Sequence, residues 1–342
     1  MQNNDKQFTN FKIHSQYSIC EGAIKIEELS KHCDENSIKS LGICDSLNLC
    51  GALEFSEKIS KIGTQPIIGT QINFLIDGVI GKIPLFATTG KAYKNLIKLS
   101  SKSYLESDEK SDPYCNFNEI DNLYEDLIIL SGNHRGLFGK LFKLNKIKII
   151  TDSFKKIKKI FGDKFYLEIQ RHNEEGEFEY ENFLINLSNQ LSIPLIASQE
   201  VYYLKEDMFE AHDALVCIGE KRFVDENNRF KFSKEHFLKK NNDLLKLFQD
   251  IPEALENNFN FPYRFNFKPK KSQPILPSIE TKKNINVETE LLNQSKVGLT
   301  NRLNNFIFKK KPNENKNEII KIYEDRLFHE LNIINSMDYP GY

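Results

Sequence analysis

The chain has 342 residues, 39% of them hydrophobic, which suits one large domain or one domain plus part of another and excludes a disordered composition. Lys and Arg total 47 against 48 Asp and Glu, so overall charge calls for no polyanionic partner. The six cysteines show no C-x-x-C pair or zinc-ligand rhythm and read as reduced, mostly core thiols of a cytoplasmic protein, and no apolar run approaches the ~20 residues of a membrane span.

The amino terminus, MQNNDKQFTN, is too polar for a signal peptide. Short apolar runs then predict strands at 11–14, 40–44, 66–74, 83–87, 127–130, 165–169 and 194–197. Helical spacing fills most of the gaps. Ile26, Leu29 and Cys33 fall at i, i+3 and i+7. Leu49, Leu53 and Ser56 begin a second face that ends at Gly63, a C-cap signal. Phe183, Leu187 and Leu191 form a third stripe at i, i+4 and i+8. Such alternation predicts a parallel α/β domain. No G-x-G-x-x-G or G-x-x-x-x-G-K-[ST] loop marks an open nucleotide-binding sheet. Polar residues instead follow several different strands: His14, Asp45, Gln71, Asn133 and Glu200. That layout suits a (β/α) barrel, whose strand C-termini surround the site.

Near residue 250 the texture changes. LLKLFQDIPEALENN predicts helix, turn and helix, and a stretch with Pro262, Pro269, Pro274 and Pro277 follows. A boundary near Lys271 gives domains 1–271 and 272–342. VETELLNQSKVGLTNRL and EIIKIYEDRLFHELNIINSM are helical beyond it. The final MDYPGY follows a turn signal with no finishing strand and suggests a cut through a domain. Two basic runs, Lys268 to Lys271 with one proline and Lys309 to Lys311, read as solvated lysine surface, with phosphate contact the sharper alternative.

FKIHSQYSICEGAIKIEEL, SLGICDSLNLCGALEF, QPIIGTQINF, KAYKNLIKLSSKSY, DLIILSG, FYLEIQRHN, PLIASQEVYYL, AHDALVCIG, LFQDIPEALENN and ELNIINSMDYPGY occur in this order. Together they resemble the N-terminal part of the bacterial replicative DNA polymerase III alpha subunit family. The resemblance implies a PHP (polymerase and histidinol phosphatase) domain over 1–271, a distorted seven-stranded (β/α) barrel. The start of a polymerase palm would occupy 272–342. The family's catalytic aspartates lie beyond the position matching Tyr342, so no catalytic residue is assigned here. The chain alone is expected to be inactive, with Mg a cofactor of the full-length polymerase only.

A complete PHP site resembles a trinuclear metal phosphoesterase. Carried over position by position, its first H-x-H becomes Lys12-Ile13-His14. The acid of the next motif is Glu21. The expected histidine of the T-D-H motif is Ser46, with Asp45 retained before it. The expected glutamate is Gln71, the next histidine Lys82, the cysteine Asn133, and the final D-x-H is Glu200-Val201-Tyr202. Lysine is the informative replacement, because a protonated ammonium has no lone pair and repels a cation. The resemblance therefore implies a vestigial site without metal, in which Lys12 and Lys82 balance Glu21 and Glu200. His134 lies near the same rim, and His172 matches a surface position of the family. DNA-binding residues are not identified.

Three functions follow from these residues. The first is a non-catalytic scaffold that docks a separate proofreading exonuclease, the epsilon subunit. Other holoenzyme subunits and DNA would be engaged through regions outside this chain, and no membrane. The second is a metal-dependent PHP exonuclease or phosphoesterase, disfavoured by the altered ligands. The third is a free-standing phosphatase of small metabolites, disfavoured by the segments after residue 271.

Overall fold

The computed structural model describes residues 6–107, 112–274, 281 and 285–342, so the first five residues and Pro277 lie outside the described residues. The chain divides into two compact units, Met1–Lys271 and Ser272–Tyr342.

The first unit is built on strands β1 (Lys12–Ile13), β2 (Ser40–Ser46), β3 (Gln65–Ile76), β4 (Val79–Ala87), β5 (Cys115–Asn116), β6 (Leu127–Leu130), β7 (Phe165–Ile169), β8 (Leu195–Ala197) and β9 (Glu200–Val201). They form one curled sheet in the order β8-β7-β6-β4-β3-β2-β1-β9, with β5 paired to β3. The two ends of this path belong to a single chain segment: β8 pairs with β7, and β9, two residues on, pairs with β1. With that segment counted once and β5 set aside, the architecture is a distorted seven-stranded barrel, as the polar strand ends predicted.

One expectation needs correction. The sheet is mixed, because β4 runs antiparallel to both β3 and β6. The cause is local. Asp77 and Gly78 join β3 to β4 and both have positive φ (49° and 75°), the backbone of a tight type I′-like hairpin turn. Asp-Gly between two apolar runs carries that signal in the sequence.

Helices Ile26–Glu35, Ala52–Lys61, Gly90–Leu105, Ile147–Phe161 and Glu177–Leu191 pack on the outside. Ile26, Leu29 and Cys33 are buried as their spacing predicts. Gly63 follows the second helix with φ of 82°, the left-handed geometry of a C-cap glycine. The helix Glu177–Leu191 turns differently from its predicted stripe: Tyr180, Leu184 and Leu187 are its buried apolar residues, and Phe183 and Leu191 are only partly buried. Among the described residues no helix is long and apolar enough to cross a membrane.

Strand alternation sorts the core into layers. On β6 and β7, Leu127, Ile129, Phe165 and Leu167 point to the helices, while Ile128, Leu130 and Tyr166 point into the barrel. The barrel floor is aromatic: Phe261, from the segment after the last helix of this unit, lies 4.3 Å from Phe11 and 5.5 Å from Phe86. Above that floor the inward positions become charged.

The second unit holds helices Val287–Arg302 and Lys316–Ser336, with a π-helical turn at Leu303–Ile307. Asn286 caps the first by accepting from Thr289 N at 2.8 Å. Leu303, Ile319 and Leu331 are its buried apolar residues.

Candidate functional site

On β1 the alternation sends Ile13 outward and Lys12 and His14 inward. Lys12 is 1% exposed, and its Nζ lies 3.2 Å from Glu168 Oε2 and 3.5 Å from Glu200 Oε1. Burial alone would lower its pKa, but Glu168 and then Glu200 more than offset that and hold it above the ordinary lysine value. Glu168 also accepts from Gln170 Nε2 at 2.7 Å and from the Ser198 hydroxyl.

Glu200 is the hub. Its Oε1 lies 2.9 Å from His14 Nε2 and accepts from Gln71 Nε2, and its Oε2 accepts from Asn133 Nδ2 at 2.5 Å. Burial pushes this carboxyl up, yet Lys12 and the His14 hydrogen bond win and hold it well below the usual range. The His14 ring is engaged all round. Its Nδ1 lies 3.2 Å from Ser18 Oγ, and Tyr202 stacks on its face at 4.3 Å and 16°.

Toward solvent lies a second group. Lys82 Nζ donates to both Glu21 oxygens at 2.5 and 2.7 Å and to Ser46 Oγ at 2.9 Å. Ser46 Oγ in turn donates to Glu21 Oε2 at 2.5 Å. Burial raises the Glu21 carboxyl, but Lys82 prevails and lowers it. Ser18 joins the groups by accepting from Ser46 N at 3.1 Å. Asp45 is directed at the same loop, accepting from Ser15 N, Ser15 Oγ and Ser18 Oγ at 2.7, 2.8 and 2.7 Å, and burial pushes its carboxyl up.

All nine carried-over positions thus converge at the barrel mouth. Lys12, His14, Gln71, Asn133, Glu200 and Tyr202 make one contact network, and Glu21, Ser46 and Lys82 make the other. His172 is corrected: it is 1% exposed, not a surface residue. It stacks on His236 at 4.0 Å, and its Nδ1 lies 3.3 Å from Glu177 Oε1. Burial, with His236 beside it, lowers its pKa to about 4.

Lys12 does meet Glu200, as expected, but sequence reasoning missed its nearer partner. Glu168 is the inward-facing acid of an otherwise apolar strand, FYLEI, and alternation with Tyr166 was its signal. It also missed Glu174, which lies 3.3 Å from His134 Nε2, 2.6 Å from Arg135 and 3.0 Å from His236 Nε2. That cluster joins distant loops, and no local pattern marks it. Arg135 further stacks on Phe230 at 4.6 Å, which brings the segment after the helix Phe209–Glu220 over the mouth.

These donors fit a metal cluster poorly. The nine positions offer one imidazole and two carboxylates, whose oxygens already accept from protein donors, and two ammonium groups stand where lone pairs are needed. Among the described residues no three His, Cys, Asp or Glu side chains are grouped to hold a metal ion.

Residues 10–172 match the PHP domain family. Over 98% of its length the chain is 35% identical to the DNA polymerase III subunit alpha of Caulobacter vibrioides, covering 29% of that protein. Over 99% it is 34% identical to the subunit of the same description from Buchnera aphidicola subsp. Schizaphis graminum, again covering 29%. The chain therefore spans under a third of the length of these relatives. A solved structure from Bifidobacterium adolescentis, assigned as a metal-dependent phosphoesterase, superposes with a TM-score of 0.39 and 12% identity, over 57% of this chain and 87% of that one.

Proposed function

The chain carries a PHP domain and corresponds to the N-terminal part of bacterial DNA polymerase III alpha subunits, and on that premise we propose that its barrel is a non-catalytic scaffold of a cytoplasmic replicative DNA polymerase. The observation that carries this is the Lys12 ammonium lodged between Glu168 and Glu200. A buried, protonated lysine supplies positive charge to the acids and no lone pair to a metal. Lys82 does the same for Glu21 at the rim.

In this proposal nucleotidyl transfer belongs to the longer protein. Its acids would hold two Mg ions about 4 Å apart, the arrangement such in-line displacement requires. The barrel serves as a docking frame for the separate proofreading exonuclease, alongside the other holoenzyme subunits and DNA. Its charged core is closed by its own side chains, so fold and surface are retained without hydrolysis.

The purified chain should hold no stoichiometric Zn, Mn or Fe by elemental analysis. It should hydrolyse neither p-nitrophenyl phosphate nor a 3′ DNA end, and it should not extend a primer. It should co-elute with the exonuclease subunit of its own organism, burying on the order of 1,200–2,000 Å². One equivalent of metal lost on changing His14, Glu21 or Glu200 would restore the hydrolase alternative. Failure to co-elute removes the docking role and leaves the scaffold.

A further inference from the structure

A small chamber lies between the charged layer and the helix Glu177–Leu191. His134, Glu168, Gln170, Glu177, Tyr180 and Leu184 are among its walls, and it offers about 10 Å³ to the centre of a water molecule. A space that admits the centre of a water over that volume has room for a water.

Two of its lining residues each carry a buried polar group that has no hydrogen-bond partner among the described residues: the Tyr180 hydroxyl and His134 Nδ1, each in a residue 3% exposed. Leaving such groups unpaired in a protein interior is costly. Their chemistry is complementary to a water. Burial, with the Glu168 charge nearby, holds the phenol far above its ordinary pKa, so it stays a donor. His134 Nε2 faces Glu174 Oε2 at 3.3 Å, and a proton there leaves Nδ1 an acceptor. Glu168 accepts from Lys12, Gln170 and Ser198 and has one of its roughly four lone-pair sites left.

We propose that the chamber is a hydration site holding one structural water, which accepts from the Tyr180 hydroxyl and donates to His134 Nδ1 and Glu168. An anion is disfavoured by the charges of Glu168 and Glu177. A cation finds few free oxygens, because Glu177 already accepts from the backbone N–H of His172 at 2.6 Å and of Glu174 at 3.4 Å. The water ties the helix to the carboxylate that holds Lys12, so it belongs to the polar core rather than to the surface.

A crystal structure of the chain should show a single peak about 2.5–3.2 Å from both the Tyr180 oxygen and His134 Nδ1. In solution, oxygen-17 relaxation dispersion should lose the amplitude of one long-lived water in Tyr180→Phe, which keeps the ring. An empty chamber, a hydroxyl bonded directly to Glu168, or unchanged dispersion in the variant overturns the proposal. Should that variant fail to fold, the density in the unaltered chain decides alone.

Discussion

Lys12 lies between two buried carboxylates, 3.2 Å from Glu168 and 3.5 Å from Glu200, with virtually no exposed surface on any of the three. Taking three charges out of water is costly, and the trio persists only because each partner remains. Lys12→Ala should therefore cost about 3–5 kcal/mol, the usual loss when a buried pair is broken from one side. Lys12→Met combined with Glu168→Gln and Glu200→Gln should recover most of that loss. Chemical denaturation of the variants measures both. A triple variant no better than Lys12→Ala contradicts the pairing.

The pair at the rim should behave differently. Lys82 and Glu21 approach to 2.5 Å, but their side chains are 28% and 34% exposed. Water screens such a pair, and exposed ion pairs contribute only about 0–1 kcal/mol. Lys82→Ala should stay within that range in the same denaturation series. A loss equal to that of Lys12→Ala would show that the rim matters as much as the interior.

Gly78 is the second residue of the turn that reverses β4, with φ of 75° and open space around the position of a Cβ. Substitution therefore meets no clash, only the cost of left-handed backbone, about 1–2 kcal/mol for an L-residue. Gly78→Ala should lower stability by that amount, and Gly78→Asn by less, since Asn tolerates this region better. Equal stability for Ala and Gly would mean that the turn relaxes to another form.

Seven of the nine strands follow from short apolar runs, and their period of two also decides which residues face the barrel. What stayed illegible has identifiable causes. The two-residue β5 and β9 are too short to show a period. The reversal of β4 was written in Asp77-Gly78, a local signal outweighed by the regular strand–helix alternation. In the site, residues on strand ends were found through a known pattern of ligands. Glu168 fills no position of that pattern, so its pairing with Lys12 appears only when β7 and β1 are brought to either side of the β8–β9 segment. The Glu174 cluster likewise joins residues about 40 to 60 apart in sequence, a coincidence of loops that no periodicity encodes.

The pH dependence of stability carries a sign that tests the hub directly. The Glu200 carboxyl is held well below its ordinary pKa: burial opposes ionisation, and Lys12 and His14 overcome it. A depressed carboxyl contributes stability that is present above its unfolded value, about 4.3, and lost as pH falls toward the folded value. Lys12 is raised, so its contribution is complete below about 10.4 and lost only as pH climbs through its folded value. Between those limits the trio contributes a plateau. The stability gap between the chain and its Glu200→Gln variant should be widest near neutral pH. It should narrow as pH drops below about 4, where the native carboxyl begins to lose its advantage. Urea titrations of both proteins at stepped pH measure that gap. A gap unchanged from neutrality into acid would mean that the Glu200 charge contributes nothing, and that packing alone holds the barrel mouth.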